Sequence, residues 1–171
     1  MSEEAAGLGW GHINVNVSDL DRAIAFYEKL GFSVLLTGIP YLDLEQGPSP
    51  REIPEAAATA LGLEAPVAGR GCIMQLGKGF PMLDLTELSL FDAASPLANR
   101  DRGIVRICLA SRDLARDYAR LMDEGVEFLS PPTAGKGGSA EIAVCRDPDG
   151  TLIELIELDL DRWVKVVADS A

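Results

Sequence analysis

The sequence predicts an α+β fold built from two modules, each a strand, a helix and three further strands (βαβββ), with the helices on one side of a mixed sheet. Three observations carry this. Residues 12–35 repeat at an offset of 94, over 106–129 without a gap; seven of the 24 positions are identical and Gly31 falls on Gly125. A second match, at an offset of 70, lays 82–88 over 152–158. In both copies an alternating apolar run precedes a helical stripe. The difference between the offsets leaves 24 extra residues in the first module, and the Pro-, Gly- and Ala-rich stretch 40–70 is the natural place for them. The organisation that follows is a first module at 9–88 with an insertion at 40–70, a linker at 89–102, a second module at 103–160 and a C-terminal tail at 161–171, one domain in all.

The first strand, 12–17, puts Ile13, Val15 and Val17 on one face and His12, Asn14 and Asn16 on the other. Ser18 or Asp19 caps the helix that follows; Leu20, Ile24, Tyr27 and Leu30 form its buried stripe, and Gly31 ends it. The second copy repeats this with Leu114, Tyr118, Leu121 and Met122, ended by Gly125. One helix covers only one face of a sheet, and the apolar face has the better claim. The face carrying the only histidine and two asparagines, poor strand formers, then points to a polar cavity; the plain alternative is a solvated sheet face.

Within the insertion, residues 50–62 read as a short helix with Pro54 in its first turn and Gly62 after its end. A connection this long is usually a lid, a binding loop or disordered. Ile53, Ala57, Leu61 and Leu63 offer an apolar face, and Tyr41 and Leu42 lie near the start. A lid over a bound small molecule is the expectation, so that trimming 52–63 would weaken binding more than stability. The plain alternative is a helix patching the outside of the sheet. On the last strands, Leu83 and Leu85 take the helix side and leave Met82, Asp84 and Thr86 opposite. Ile153 and Leu155 likewise leave Leu152, Glu154 and Ile156. An ionised carboxylate among apolar neighbours needs a partner or water, so one in each copy marks a candidate site. Glu87 and Glu157, three residues further on, turn to the other face.

Composition narrows the function. Of 171 residues, 47% are apolar and 25% charged, which excludes a disordered or collagen-like chain. A net charge of −12 argues against nucleic acid and anionic lipid as partners. No apolar run reaches the length of a membrane span, and the N-terminus lacks the basic start and apolar core of a secretory signal. Cys72, Cys108 and Cys145 are odd in number and far apart, which reads as free thiols acting as small hydrophobes in a reduced, cytoplasmic protein. Gly135-Lys-Gly-Gly-Ser lacks the spacing of a P-loop and reads as a mobile turn before a strand at 141–146; Asp147-Pro-Asp-Gly is a tight turn. Trp10 and Trp163 read as packing the module edges.

Two segments, 11–32 (Gly-His12-Ile-Asn-Val-Asn-Val-Ser-Asp-Leu-Asp-Arg through Gly31-Phe) and 146–155 (Arg146-Asp-Pro-Asp-Gly-Thr-Leu-Ile-Glu154-Leu), resemble the vicinal oxygen chelate superfamily. This superfamily comprises the lactoylglutathione lyases, methylmalonyl-CoA epimerases, extradiol dioxygenases and bleomycin-resistance proteins. The resemblance covers roughly residues 9–160. It implies a glyoxalase-like cup, with a divalent metal held on its floor by residues at the start of the first strand and the middle of the last strand of each module. Those positions are His12, Asp84, Arg106 and Glu154. His12 and Glu154 match the metal pattern, and Asp84 is a shortened form of the lyase-type glutamate. Arg106 departs from it, since a guanidinium has no lone pair for a metal and stays charged. Either Arg106 swings aside and His12, Asp84 and Glu154 hold Zn, Mn, Fe or Ni, or no metal binds and Arg106 pairs with a carboxylate or an anionic ligand. The metal-free reading is favoured, and less than one metal per chain is expected.

Within the repertoire that the resemblance implies, the residues suit an isomerase- or lyase-type enzyme that moves a proton next to a carbonyl. Glu154 is the candidate base, Asp84 a second carboxylate, Arg106 the stabiliser of the oxyanion and His12 an orienting or relaying group. Asn14, Asn16, Tyr41 and Cys108 (the repeat partner of Asn14) are candidate ligand contacts. Extradiol cleavage fits less well without the second histidine. The alternative is a metal-free drug-binding protein of the bleomycin-resistance kind, whose acidic charge would suit a cationic drug. In either case the partner is a small molecule, and open strand edges predict a homodimer.

Overall fold

In a computed structural model the described residues, 9–89 and 95–160, fall into two compact units divided between residues 92 and 93. Part of the expected linker, the tail and Trp163 lie outside them. The first unit runs β1 (His12–Asn16), α1 (Leu20–Lys29), β2 (Phe32–Leu36), β3 (Gly38–Ile39), β4 (Leu44–Glu45), β5 (Arg51–Glu52), α2 (Glu55–Ala60), β6 (Ala68–Leu76) and β7 (Met82–Leu88). Its main sheet has the order β1-β7-β6-β2, with β1 parallel to β7, the other neighbours antiparallel, and β5 added along β6. The second unit runs β8 (Arg106–Ala110), α3 (Leu114–Asp123), β9 (Thr133–Ala134), β10 (Ala140–Arg146) and β11 (Leu152–Leu158), with sheet order β8-β11-β10-β9 and β8 parallel to β11.

The helices form where the repeat placed them, for the same reason in each copy. The Asp19 side chain accepts the backbone N–H of Arg22, and Asp113 accepts that of Arg116, relieving one of the unpaired donors of a first turn. A second donor is met from the sheet. Glu87 of β7 accepts the Leu20 N–H at 2.7 Å, and Glu157 of β11 accepts the Leu114 N–H at 2.7 Å. Strand parity turns these two glutamates to the helix face, and there each ties a helix start to the last strand of its unit. Gly31 and Gly125 end the helices with φ of +95° and +81°.

The helix faces bury Leu20, Ile24 and Tyr27 over Leu83 and Leu85 in the first unit, and Leu114 and Leu121 over Ile153 and Leu155 in the second. Several expectations need correction. Met122 is exposed rather than part of the stripe, and Trp10 is exposed rather than packed at an edge. Cys72 and Cys145 are buried, but Cys108 is exposed. The second copy's counterpart of β2 does not form a continuous strand. Phe128 makes an isolated bridge to Cys145, and pairing resumes at β9 beyond Pro131-Pro132, which cannot donate to a ladder.

The insertion packs on the inner face of the first sheet, opposite α1. Ile39, Leu42, Leu44, Ile53, Ala58 and Val67 form a buried apolar cluster with Ile73 of β6. The strand makes room for it. On β6 the residues paired with Leu88, Thr86 and Asp84 are Gly69, Gly71 and Ile73. A Cβ on Gly71 would lie 2.7 Å from the Ile39 side chain, and one on Gly69 would lie 2.4 Å from the Glu87 carbonyl. Arg70, between them on the other face, donates to the Gly47 carbonyl, Asp21 and Glu87, linking the insertion to the start of α1. The insertion is therefore not an outside patch, and it is anchored to the sheet through this cluster. Its helix is part of a core, and excising 52–63 would cost stability as well as any binding.

Two substitutions check these contacts by urea denaturation. Ile53→Ala, which empties a fully buried site, is expected to cost about 2–5 kcal/mol. Glu157→Ala, which frees a helix N–H, is expected to cost about 1 kcal/mol. Costs below a few tenths of a kcal/mol at both positions would contradict these assignments.

Candidate functional site

Parallel pairing of β1 with β7 sets His12, Asn14 and Asn16 beside Met82, Asp84 and Thr86, all directed to the inner face. Asp84 sits on a central strand and is fully buried. Its compensation comes from the insertion: the Tyr41 hydroxyl donates to Asp84 Oδ2 at 2.8 Å. Tyr41 is carried on a 3₁₀ turn, Pro40–Leu42, that directly follows β3. The His12 ring stacks on the Tyr41 ring, with centroids 5.9 Å apart and planes at 18°. His12 Nε2 lies 3.4 Å from the Tyr41 oxygen and 3.5 Å from Asp84 Oδ2. Partial burial, then the bond to Asp84 and its charge, push the Tyr41 hydroxyl above its ordinary pKa. It holds its proton throughout the neutral range and acts as a donor rather than a base. Asp84 Oδ1 is buried and accepts no hydrogen bond among the described residues.

A cavity of about 210 Å³ lies against this cluster. Its polar wall is the inner sheet face, His12, Asn14, Asn16 and Thr86; its apolar wall is Leu42, Ile53, Leu61, Leu63 and Leu88, with Tyr41 where the two meet. Asn14 Nδ2 donates to Thr86 Oγ1 at 2.8 Å and to the Asp84 carbonyl at 3.4 Å, which fixes the amide. Thr86 and Leu88 are lining residues that the sequence does not single out as ligand contacts, whereas Leu61 and Leu63 belong to the apolar face expected over the small molecule. Parity places Thr86 on this face, but the path of the insertion, which brings the two leucines to it, has no local signature. Only the glycines of β6 hint at it.

The corresponding face of the second unit carries Arg106, Cys108 and Glu154. Glu154 is nearly buried and both its oxygens are engaged: Arg106 Nε donates to Oε2, and Cys108 Sγ donates to Oε1 at 3.5 Å. Arg106 Nη1 also donates to Asn99 at 3.0 Å. The four candidate catalytic residues thus form two pairs, His12 with Asp84 and Arg106 with Glu154, each within its own unit. Partial burial and the Glu154 carboxylate push the Cys108 thiol up to about 11, with Arg106 opposing. Of the donors that a metal would need, Arg106 offers none, Glu154 is committed to a guanidinium, and His12 and Asp84 remain.

The Cys108 environment gives a direct check. Because the thiolate is the nucleophile, iodoacetamide labelling of Cys108, followed by peptide mass spectrometry, is expected to rise with pH about a midpoint near 11. Glu154→Gln is expected to lower that midpoint, since it removes the charge that disfavours the thiolate. A wild-type midpoint at the ordinary value of about 8.5 would contradict the contact.

The profile of the Glyoxalase/Bleomycin resistance protein/Dioxygenase superfamily matches residues 9–155. Among solved structures, a glyoxalase family protein from Bacillus cereus aligns with a TM-score of 0.71 at 20% identity, covering 92% of this chain and 99% of its own. One from Enterococcus faecalis aligns with a TM-score of 0.59 at 22% identity over 85% and 94%. A glyoxalase I variant from Zea mays aligns at 0.58 and 23% identity over 85% of this chain and 43% of its own. No curated protein sequence matches. At these identities the structures speak for the fold, and the profile covers most of the sequence. The chain belongs to the Glyoxalase/Bleomycin resistance protein/Dioxygenase superfamily.

Proposed function

We propose that this member of the superfamily is a small-molecule enzyme of the isomerase or lyase type, moving a proton on the carbon next to a carbonyl in the cavity of the first unit. The observation that carries this reading is the array His12–Tyr41–Asp84 beside that cavity. With Nε2 turned to the Tyr41 oxygen and the buried carboxylate, the ring is held in the tautomer that protonates Nε2. Nδ1, which has no partner among the described residues, is then the lone pair that takes a substrate proton. The C–H electron pair moves to the carbonyl oxygen, and return of the proton to another position completes an isomerisation. Asn16 and the Thr86 hydroxyl supply hydrogen-bond donors for the oxyanion. This gives the base role to His12 rather than Glu154, whose oxygens are both engaged.

Metal does not enter the reaction in this reading. Zn, Mn, Fe or Ni in a catalytic site takes about three protein ligands. His12 and Asp84 are two, and Tyr41 already occupies Asp84 Oδ2. Elemental analysis of protein purified without chelator is expected to find well under one such ion per chain; a stoichiometric ion would overturn this part.

One observation favours sequestration of a drug as the second reading: the cavity lining holds no cationic side chain, and the chain carries −12. The two are separated by incubating the protein in D2O with small ketones and following loss of the α-proton signal by NMR. Exchange is expected, and His12→Gln is expected to slow it about 10²–10⁴-fold. Binding without exchange would favour sequestration.

We also expect a cytoplasmic homodimer. The described cysteines are free, and β1 and β8 each end their own sheet. No helix among the described residues is long and apolar enough to cross a membrane, and the acidic charge disfavours nucleic acid. A monomer in light scattering at micromolar concentration would contradict the dimer.

A further inference from the structure

We propose that the cavity selects a compact, uncharged carbonyl compound, and that the turn after α2, carrying Leu61 and Leu63, reads the apolar part of that compound. This rests on the proton-transfer reading and specifies its substrate class.

The exclusion of anions follows from the wall chemistry. Asn14, Asn16 and Thr86 are neutral, and no Lys or Arg lines the space. The buried Asp84 carboxylate is bonded to the lining residue Tyr41. A carboxylate or phosphate entering here loses its hydration, finds no cation to offset that loss, and faces a buried like charge. A ketone oxygen finds amide and hydroxyl donors instead. Size sets a second limit. About 210 Å³ is below the roughly 300–1,000 Å³ typical of cavities for drug-sized ligands, so the occupant is smaller than those.

The apolar reader is identified by how the insertion divides its leucines and isoleucines. Ile53, Leu42, Leu44 and Ile39 are committed to the cluster on β6 and are at most 3% exposed. Leu61 is different: it lines the cavity and is 53% exposed. It follows the last turn of α2, where Gly62 at φ +69° reverses the chain and brings Leu63 to the same wall. A large aliphatic side chain that is uncommitted to the core and faces a cavity gains burial only when a ligand is present.

The test uses the full-length protein and two probes, phenylacetone and phenylpyruvate. They share a benzyl group and a keto carbon and differ in a methyl against a carboxylate. By titration calorimetry at neutral pH, the wild type is expected to bind phenylacetone at least about tenfold tighter. Leu61→Ala is expected to weaken phenylacetone about 5- to 30-fold while leaving the melting temperature within about 2 °C, since the side chain adds little to the core. Asn16→Arg, which places a cation on the polar wall, is expected to shift preference toward phenylpyruvate. Tighter binding of phenylpyruvate by the wild type, an unchanged affinity in Leu61→Ala, or binding of neither probe at millimolar concentration would overturn the proposal. Exchange of the benzylic protons in D2O is read separately. Tight phenylpyruvate binding with His12-dependent exchange removes the ligand class and keeps proton transfer. Tight phenylacetone binding without exchange keeps the ligand class and removes proton transfer.

Discussion

A carboxylate without solvent on the middle of a β-sheet has to be offset from nearby, or it cannot be kept ionised there. Both units of this protein carry one at the corresponding place, Asp84 on β7 and Glu154 on β11, and the rest of each inner face is arranged around that requirement. In the second unit the answer comes from the neighbouring strand: β8 runs parallel to β11 and lays Arg106 against Glu154. In the first unit the neighbouring strand offers His12 and the insertion a hydroxyl, both to Asp84 Oδ2, and Oδ1 accepts no hydrogen bond among the described residues. The insertion is held in place by its own apolar cluster, which in turn needs the bare backbone of Gly71 under Ile39. One electrostatic constraint thus connects a strand register, a glycine and the position of a tyrosine.

Much of this is legible in the amino-acid sequence, because it follows from period and parity. The repeat offsets place both helices and the last strands, and alternation separates Asp84 and Glu154 from Leu83, Leu85, Ile153 and Leu155. Parity also turns Glu87 and Glu157 away from the site, although it does not say that they cap α1 and α3. The misses share a physical origin in contacts that no local pattern encodes. Tyr41 reaches Asp84 across 43 positions along a segment whose path depends on packing, so the sequence places it only near a cavity. Met122 completes a helical stripe on paper, yet it is exposed beside the buried Leu121. Cys108 sits in an apolar run but on the side of β8 that faces a carboxylate, so its surroundings are ionic. The broken counterpart of β2 is signalled by Pro131-Pro132, a local cue that the regularity of the repeat outweighs.

The scaffold by itself leaves the chemistry open, since one fold supports unrelated reactions. Proton transfer is favoured by how the ring of His12 is held. In the proposed reading, a stacked phenol and a buried carboxylate on one edge of the imidazole leave the other edge to accept a proton, and the amide and hydroxyl wall would supply donors for the charge that develops. The Arg106–Glu154 pair enters as an ion pair that engages the Glu154 carboxylate.

The insertion keeps two kinds of residue apart. Ile39, Leu44, Ile53 and Ala58 hold it to the strand and Leu63 packs against them, while Leu61 borders the cavity largely exposed. Substitution of Leu61 is therefore expected to be mild for folding, and substitutions in the cluster are not. If Leu61 reads the ligand as proposed, a lineage carrying this chain can explore new small molecules through that one position at little risk to the fold. Gly71, by contrast, is fixed as long as Ile39 rests on it.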